Sequence, residues 1–197
     1  LLKAARNSGA ASRFQNREPA MPRLFTGLKI PVASAAALAS ARGGVHGARW
    51  IEPSEYHVTL RFIGDIDART ARDVAEALAA IRRPPVCLSF EGLSWFGADK
   101  PRAIVAKIKP TAPLIELQGE HERRLRRIGL PPELRNFTPH VTLARLRSVS
   151  AAAVADYLSA RGALVAPPFE ASRFELYSAR ESVGGGPYVV EAAYPLG

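Results

Sequence analysis

Two histidines of this chain sit in identical tetrapeptides, His57-Val58-Thr59-Leu60 and His140-Val141-Thr142-Leu143, and the whole chain holds only four histidines. In an extended strand, residues two apart share a face. Each copy therefore presents an imidazole and a hydroxyl on one side and two apolar side chains, fit for a core, on the other. Two such strands side by side would gather two imidazoles and two hydroxyls in one cleft. Opening a phosphodiester needs a base to take a proton from the attacking oxygen and an acid to give one to the leaving oxygen. Imidazole serves either role near neutral pH, and such catalysis is typically worth about 10²–10⁴ in rate. The hydroxyls of Thr59 and Thr142 could donate to the non-bridging phosphate oxygens and offset charge that builds in the transition state.

Other uses of these residues fit less well. A lone strand histidine is ordinarily a packing or surface residue, and threonine favours strands in any case. It is the repetition of the full tetrapeptide that favours catalysis. His46 and His121 have no threonine two residues on, and His121 falls on an apolar stripe, so both stay outside the candidate site. Neither motif contains a carboxylate, and no His-x-His, His-x₃-His or Cys/His cluster occurs, so no metal ligands are expected. Cys87 lies in an apolar, strand-like stretch with no histidine near it in sequence, which argues against a thiol nucleophile. No Gly-rich phosphate loop or dinucleotide fingerprint is present, and Gly184-Gly185-Gly186 precedes a strand, as a hairpin turn would.

The elements that must position these groups alternate. Strand patterns cover Leu24–Ile30, Tyr56–Ile63, Val86–Leu93, Ala103–Lys109, His140–Leu146, Arg173–Ala179 and Tyr188–Tyr194. Helical spacing covers Ser34–Ala41, Ala68–Ile81, Pro113–Ile128 and Ser150–Ala160. In the third helix, Leu114, Leu117, His121, Leu125 and Ile128 form the stripe expected to be buried. Gly and Pro pairs punctuate the joins. The reading is an α+β fold.

A chain of 197 residues fits one domain or two small lobes on one core. Leu1 to Ala20 lacks hydrophobic periodicity and is expected to be a disordered arm ahead of a domain beginning at Met21. Lys3, Arg6, Arg13 and Arg17 against Glu18 place +3 of the formal +9 in that arm and leave +6 on the rest. A surplus of that size favours an anionic partner, with nucleic acid the usual one. No apolar run reaches the length of a membrane span. A single cysteine cannot form an intrachain disulfide, which fits the cytoplasm.

Taken with their surroundings, the paired motifs resemble the two-histidine phosphoesterase superfamily, and within it the RNA 2′,3′-cyclic phosphodiesterase branch, also called 2′-5′ RNA ligase-like. The likeness rests on Arg23-Leu24-Phe25, on Trp50 leading to His57-Val58-Thr59-Leu60-Arg61-Phe62-Ile63-Gly64, and on Pro101-Arg102-Ala103-Ile104-Val105-Ala106. It continues through Phe137-Thr138-Pro139-His140-Val141-Thr142-Leu143-Ala144-Arg145, then Phe174-Glu175-Leu176-Tyr177-Ser178 and Tyr188. The resemblance implies a bilobal fold of two antiparallel sheets with flanking helices, related by pseudo-two-fold symmetry, with the active cleft between the lobes. It implies catalytic His57 and His140, phosphate-holding Thr59 and Thr142, no cofactor, and RNA ending in a 2′,3′-cyclic phosphate as partner, opened to a 2′-phosphate by a monomer. Some members also join RNA ends through a 2′-5′ linkage. His57 as acid and His140 as base is one order; the sequence leaves the reverse open. The pattern also places a phosphate-binding arginine at Arg145, although strict alternation turns it away from His140 unless a bulge re-aims it. Arg61 has the parity to face the cleft beside His57 and is the other candidate. Phe25, with Trp50, Tyr56, Phe137 and Tyr177, could stack on bases, Tyr56 having core-facing parity. Arg123, Arg124, Arg126 and Arg127 could touch RNA backbone or simply be solvated. Other substrates of the same chemistry are ADP-ribose 1″,2″-cyclic phosphate and 2′-5′ oligoadenylate, and a different class is an RNA-end-binding module without turnover.

Overall fold

The computed structural model describes residues 23–164, 166–179 and 186–197. The expected arm over residues 1–20, Met21 and the glycines Gly184 and Gly185 lie outside the described residues. Among the described residues, ten strands and four α-helices follow in the order β1 (Arg23–Lys29), α1 (Val32–Ala39), β2 (Ala48–Trp50), β3 (His57–Asp65), α2 (Ala68–Ala79), β4 (Val86–Leu88), β5 (Phe90–Phe96), β6 (Ala103–Ile108), α3 (Ala112–Arg127), β7 (His140–Leu146), α4 (Ala151–Arg161), β8 (Phe169–Ala171), β9 (Arg173–Ser178) and β10 (Val189–Pro195). A 3₁₀ turn at Pro53–Glu55 separates β2 from β3.

All strand pairs among the described residues are antiparallel. The main sheet runs β10-β9-β1-β3-β7-β6-β5, with β2 also on β7, and β4 pairs with β8 in a small second sheet. The two halves of the main sheet are joined through a single residue pair, Val58 opposite Val141, between β3 and β7. The two expected sheets are thus the halves of one sheet that part on either side of that pair. Beyond it, the edge of β7 passes to β2, where Trp50 faces Ala144 and Ile51 N–H donates to the Leu143 carbonyl at 2.8 Å. β2 and β3 therefore behave as one strand along β7, interrupted where Pro53 starts a turn that loops residues 52–56 outward.

The helices form where sequence supplies both a start and a face. Asp67 caps α2 by accepting from Thr70 N–H at 2.8 Å, and Ala71, Val74, Ala75 and Leu78 are its buried stripe. Pro113 opens α3, whose buried stripe is Leu114, Leu117, His121 and Leu125; Ile128, expected in that stripe, is exposed because the helix ends at Arg127. Ser150 caps α4 through Ala153 N–H. The apolar members of these stripes join Leu24, Leu28, Val58, Leu60, Val141 and Leu143 from the sheet in one core. The expected strand Val86–Leu93 is instead two strands, broken at Ser89, because Val86–Leu88 pairs with β8 while Phe90 onward joins the main sheet.

Candidate active site

Pairing of Val58 with Val141 fixes the geometry of the motifs. Their side chains point into the core at 0% exposure, so His57, Thr59, His140 and Thr142 share the opposite face. One residue either side of that pair, the register sets His57 against Thr142 and Thr59 against His140, each imidazole facing the other motif's hydroxyl. All four line one cleft of about 500 Å³, with Arg145, Glu55, Phe62, Phe96, Phe137 and Tyr188 among the other walls.

The backbone just before each motif fixes the imidazoles alike. His57 Nδ1 lies 2.8 Å from the Glu55 carbonyl, and His140 Nδ1 lies 2.7 Å from the Thr138 carbonyl. A carbonyl only accepts, so Nδ1 carries the hydrogen in both rings and Nε2 is left for chemistry. The looped-out turn between β2 and β3 puts the Glu55 carbonyl in place. Its carboxylate in turn accepts from Tyr188 N–H at 2.9 Å, which brings the Tyr188 ring edge-on to His57, centroids 5.2 Å apart. Phe25 and Tyr177 stack on each other at 4.9 Å and lie 4.9 and 5.5 Å from the His57 ring. Against His140, Phe96 stands edge-on at 4.7 Å.

Burial disfavours imidazolium in both rings. Burial drives His57 down to about 4, only partly opposed by the Glu55 carbonyl, while the charges of His140 and Arg145 add to the lowering. His140 is lowered too, by burial first and by Arg145, against the Thr138 carbonyl. A phosphate anion between the rings would reverse the sign of the local charge and favour protonation of whichever ring acts as acid.

Parity fails for the two arginines in the same way. In β7, Ala144 faces Ile104 and Thr142 faces Val105, so Leu143 is an extra residue. Leu143 and Ala144 are both buried, and Arg145 emerges exposed on the face of His140 and Thr142. β3 carries a matching irregularity at Leu60, between Thr26–Arg61 and Gly27–Thr59. There the bulge turns Arg61 inward to 6% exposure. Arg61, the other candidate for the phosphate, does line the cleft, yet its side chain is largely covered. Its guanidinium reaches the cleft wall but donates to Glu122 at 2.6 Å and to the carbonyls of Phe62 and Pro131, tying α3 and the loop after it to β3. Phe62, five residues after His57 as Arg145 is after His140, takes the cleft position instead and is 40% exposed.

The stacking candidates are redistributed as well. Phe25, at 4% exposure, does not line the cleft and supports the His57 ring rather than offering a face to a base. Tyr177 and Tyr56 are buried, and Trp50 packs on Tyr157. Phe137 alone of those candidates lines the cleft, joined by Phe62, Phe96 and Tyr188. Phe62 and Phe96 gave no separate signal in sequence, since only the bulge and the strand end expose them. Arg123 and Arg124 are paired with Glu120 on the surface of α3, and neither lines the cleft. His121 is buried on the α3 stripe, as its spacing implied. Among the described residues, no three His, Cys, Asp or Glu side chains gather as metal ligands would. No helix among them is long and apolar enough to cross a membrane.

A family model described as LigT like Phosphoesterase matches residues 28–105 and 108–188, each segment holding one His-x-Thr motif. The chain belongs to the LigT-like phosphoesterase family. Curated relatives include an RNA 2′,3′-cyclic phosphodiesterase of Aeropyrum pernix, 37% identical over 49% of this chain and 56% of that protein. One of the same name from Geobacillus stearothermophilus is 33% identical over 49% of this chain, so this chain spans only 32% of that relative's length. Another, from Aquifex aeolicus, is 29% identical over 76% of this chain and 82% of its own. The fold agrees with that of solved structures. TT0787 of Thermus thermophilus superposes with a TM-score of 0.75 at 21% identity, covering 88% of this chain and 97% of its own. E. coli LigT in complex with 3′-AMP gives 0.73 at 22%, covering 91% and 99%.

Proposed function

We propose that this LigT-like phosphoesterase opens the 2′,3′-cyclic phosphate at an RNA end to a 2′-phosphate. The observation that carries the reading is the meeting of the two His-x-Thr strands at Val58 and Val141, with both Nδ1 atoms committed to backbone carbonyls. Both Nε2 atoms are thereby left to flank one cleft. The names of the curated relatives support the choice of substrate. In the reaction, one of His57 and His140 takes a proton from water as its oxygen attacks phosphorus. The P–O3′ bond breaks, the other histidine gives its proton to O3′, and the phosphate stays on O2′. Proton exchange with solvent resets the pair. Thr59, Thr142 and the exposed guanidinium of Arg145 hold the non-bridging oxygens, where charge grows as the fifth bond to phosphorus forms. No metal or nucleotide cofactor is required by these steps. With an RNA 5′-hydroxyl in place of water as the attacking group and O3′ leaving as before, the same groups would support joining through a 2′-5′ linkage. Both motifs come from one chain, so a monomer is complete, and a free Cys87 suits the cytoplasm.

Hydrolysis of a short RNA ending in a 2′,3′-cyclic phosphate, with chelator present, tests this in wild type, His57→Ala and His140→Ala. Conversion to a 2′-phosphate by wild type alone is expected. No conversion by folded wild type would overturn the reading and move the search to ADP-ribose cyclic phosphate, 2′-5′ oligoadenylate and binding without turnover.

A further inference from the structure

The cleft residues have cationic neighbours in register. Directly opposite His57, on β1, stands Lys29. Directly opposite His140, on β6, stands Lys107. Directly opposite Arg145, on β2, stands Arg49. Residues that face each other across an antiparallel pair project from the same side of the sheet, with Cβ atoms about 4.5–5.5 Å apart. Three strands therefore each set a cation beside a group of the site, on the site's own face. All three are exposed, and none lines the cleft itself.

Among the described residues, Lys29, Lys107 and Arg49 take part in no salt bridge. The nearby carboxylates, by contrast, are engaged. Glu55 accepts from Tyr188 N–H, Glu133 is held by both arms of Arg135, and Glu175 is buried with Tyr177 and Arg173. The rim is thus a set of cations with no salt bridge among the described residues, beside a cleft whose Glu133 is ion-paired and whose Glu55 accepts from a neutral backbone N–H. Cations on one face without counter-ions attract an anion that can span them. A cleft of about 500 Å³ has room for a terminal nucleotide but not for a strand, so further phosphodiesters would lie outside it, on this face.

We propose that Lys29, Lys107 and Arg49 form a phosphate-binding rim that makes the substrate a polynucleotide rather than a mononucleotide. This rests on the function proposed above and adds to it the residues that would hold the RNA chain behind the cyclic phosphate. The rim residues touch the strand and not the reacting phosphorus, so they set affinity for the strand and leave the chemical step alone. Each phosphate contact adds about 0.7 to the slope of log affinity against log salt for a single strand.

The test compares kcat/KM for a 2′,3′-cyclic mononucleotide and for a decaribonucleotide ending in the same group. It uses wild type, the triple variant Lys29→Ala/Lys107→Ala/Arg49→Ala, and a charge-matched control, Arg69→Ala/Arg72→Ala/Arg82→Ala. Wild type should favour the decamer at least tenfold. The triple variant should lose most of that preference while mononucleotide kcat/KM changes less than threefold, and the control should keep it. Equal kcat/KM for the two substrates in wild type, or equal loss in both variants, would overturn the rim. Binding of a 2′-phosphate-ended decamer, followed against salt, gives a readout that needs no turnover. A salt slope shallower by about one to two units is expected in the triple variant and not in the control. An unchanged slope overturns the rim, whereas absence of turnover with a changed slope overturns the proposed reaction and leaves the rim standing.

Discussion

Replacing Arg61 and Arg145 one at a time separates a cation that holds the fold from one that serves the reaction. Arg61 is 6% exposed, and Nε, Nη1 and Nη2 donate to Glu122, Phe62 and Pro131. Arg61→Leu keeps apolar bulk but strands a carboxylate and two carbonyls. Removing one partner of a buried ion pair costs about 3–5 kcal/mol. The Glu122 side chain keeps 21% exposure, which places the cost at the lower end, near 3 kcal/mol. With a urea m-value of about 2–3 kcal/mol/M for a chain this size, the midpoint falls by roughly 1–1.5 M. Arg61→Lys should recover little, because an ammonium cannot reproduce the three-way fork. Arg145→Ala removes an exposed side chain, and its stability should stay within about 0.5 kcal/mol of wild type. Its kcat/KM on the cyclic phosphate should fall about 10- to 100-fold, the worth of one charge-assisted contact. Urea unfolding followed by tryptophan fluorescence, beside kcat/KM in denaturant-free buffer, reads both quantities. Wild-type stability with lost turnover in Arg61→Leu, or a destabilised Arg145→Ala with intact turnover, would refute the division of roles.

Three further outcomes follow from the same geometry. The profile of kcat/KM against pH should be bell-shaped, with the limb on which the acid loses its proton below about pH 6.5, because burial lowers both free histidines; Arg145→Ala should move both limbs upward, and a limb above about pH 7.5 in wild type would contradict the burial argument. Gly27→Ala puts a Cβ 2.9 Å from the Val58 carbonyl and 3.4 Å from His57 Cδ2. It should cost about 1 kcal/mol or more and lower kcat more than it raises KM, since the ring that moves is a reacting one; unchanged kcat would show that the ring is not displaced. His121 is buried, its Nε2 has no partner, and burial takes it down to about 4. Its unfolded form binds a proton below about pH 6.5 that the folded form refuses, so stability is full above that pH and falls as pH drops toward about 4. His121→Leu should flatten that loss in urea titrations between about pH 7 and 4.5, and an unchanged slope would dismiss it.

Much of this is legible in the chain because the signals are local. Strand parity within His57–Leu60 and His140–Leu143 separates core from cleft correctly, and spacing alone gives the α3 stripe from Leu114 to Leu125, while Ile128, past the helix end, is exposed. Parity then breaks one residue beyond each motif. A bulge is a property of two strands, not one, so nothing in Leu60-Arg61-Phe62 announces that Arg61 turns inward. Leu143-Ala144 offers a faint hint, two apolar residues in succession. β8 escapes a reading of sequence because Pro167-Pro168 signals a loop, and its partner Val86–Leu88 is far away along the chain. Phe25 has the right type for a stacking face, whereas the pairing of β1 with both β3 and β9 places it beneath His57.

The repeated bulge also bears on how a symmetric pair of motifs can perform an asymmetric reaction. Two imidazoles with the same backbone partner and two threonines set across from them do not by themselves distinguish the attacking oxygen from the leaving one. The distinction must come from what the two halves do not share. Five residues after each histidine the same irregularity delivers a side chain to the cleft, and there one half offers the Phe62 ring and the other the Arg145 guanidinium. In the proposed reaction one wall would suit a base and the other a phosphate, which would orient a nucleotide before any proton moves. The surroundings differ in the same sense: three aromatic rings crowd His57, while Phe96 meets His140. Unequal burial is a means by which two groups of the same kind acquire different proton affinities, as an acid and a base working together require. The backbone supplies a matched pair of reaction groups, and the side chains a few residues further along each strand give that pair a direction.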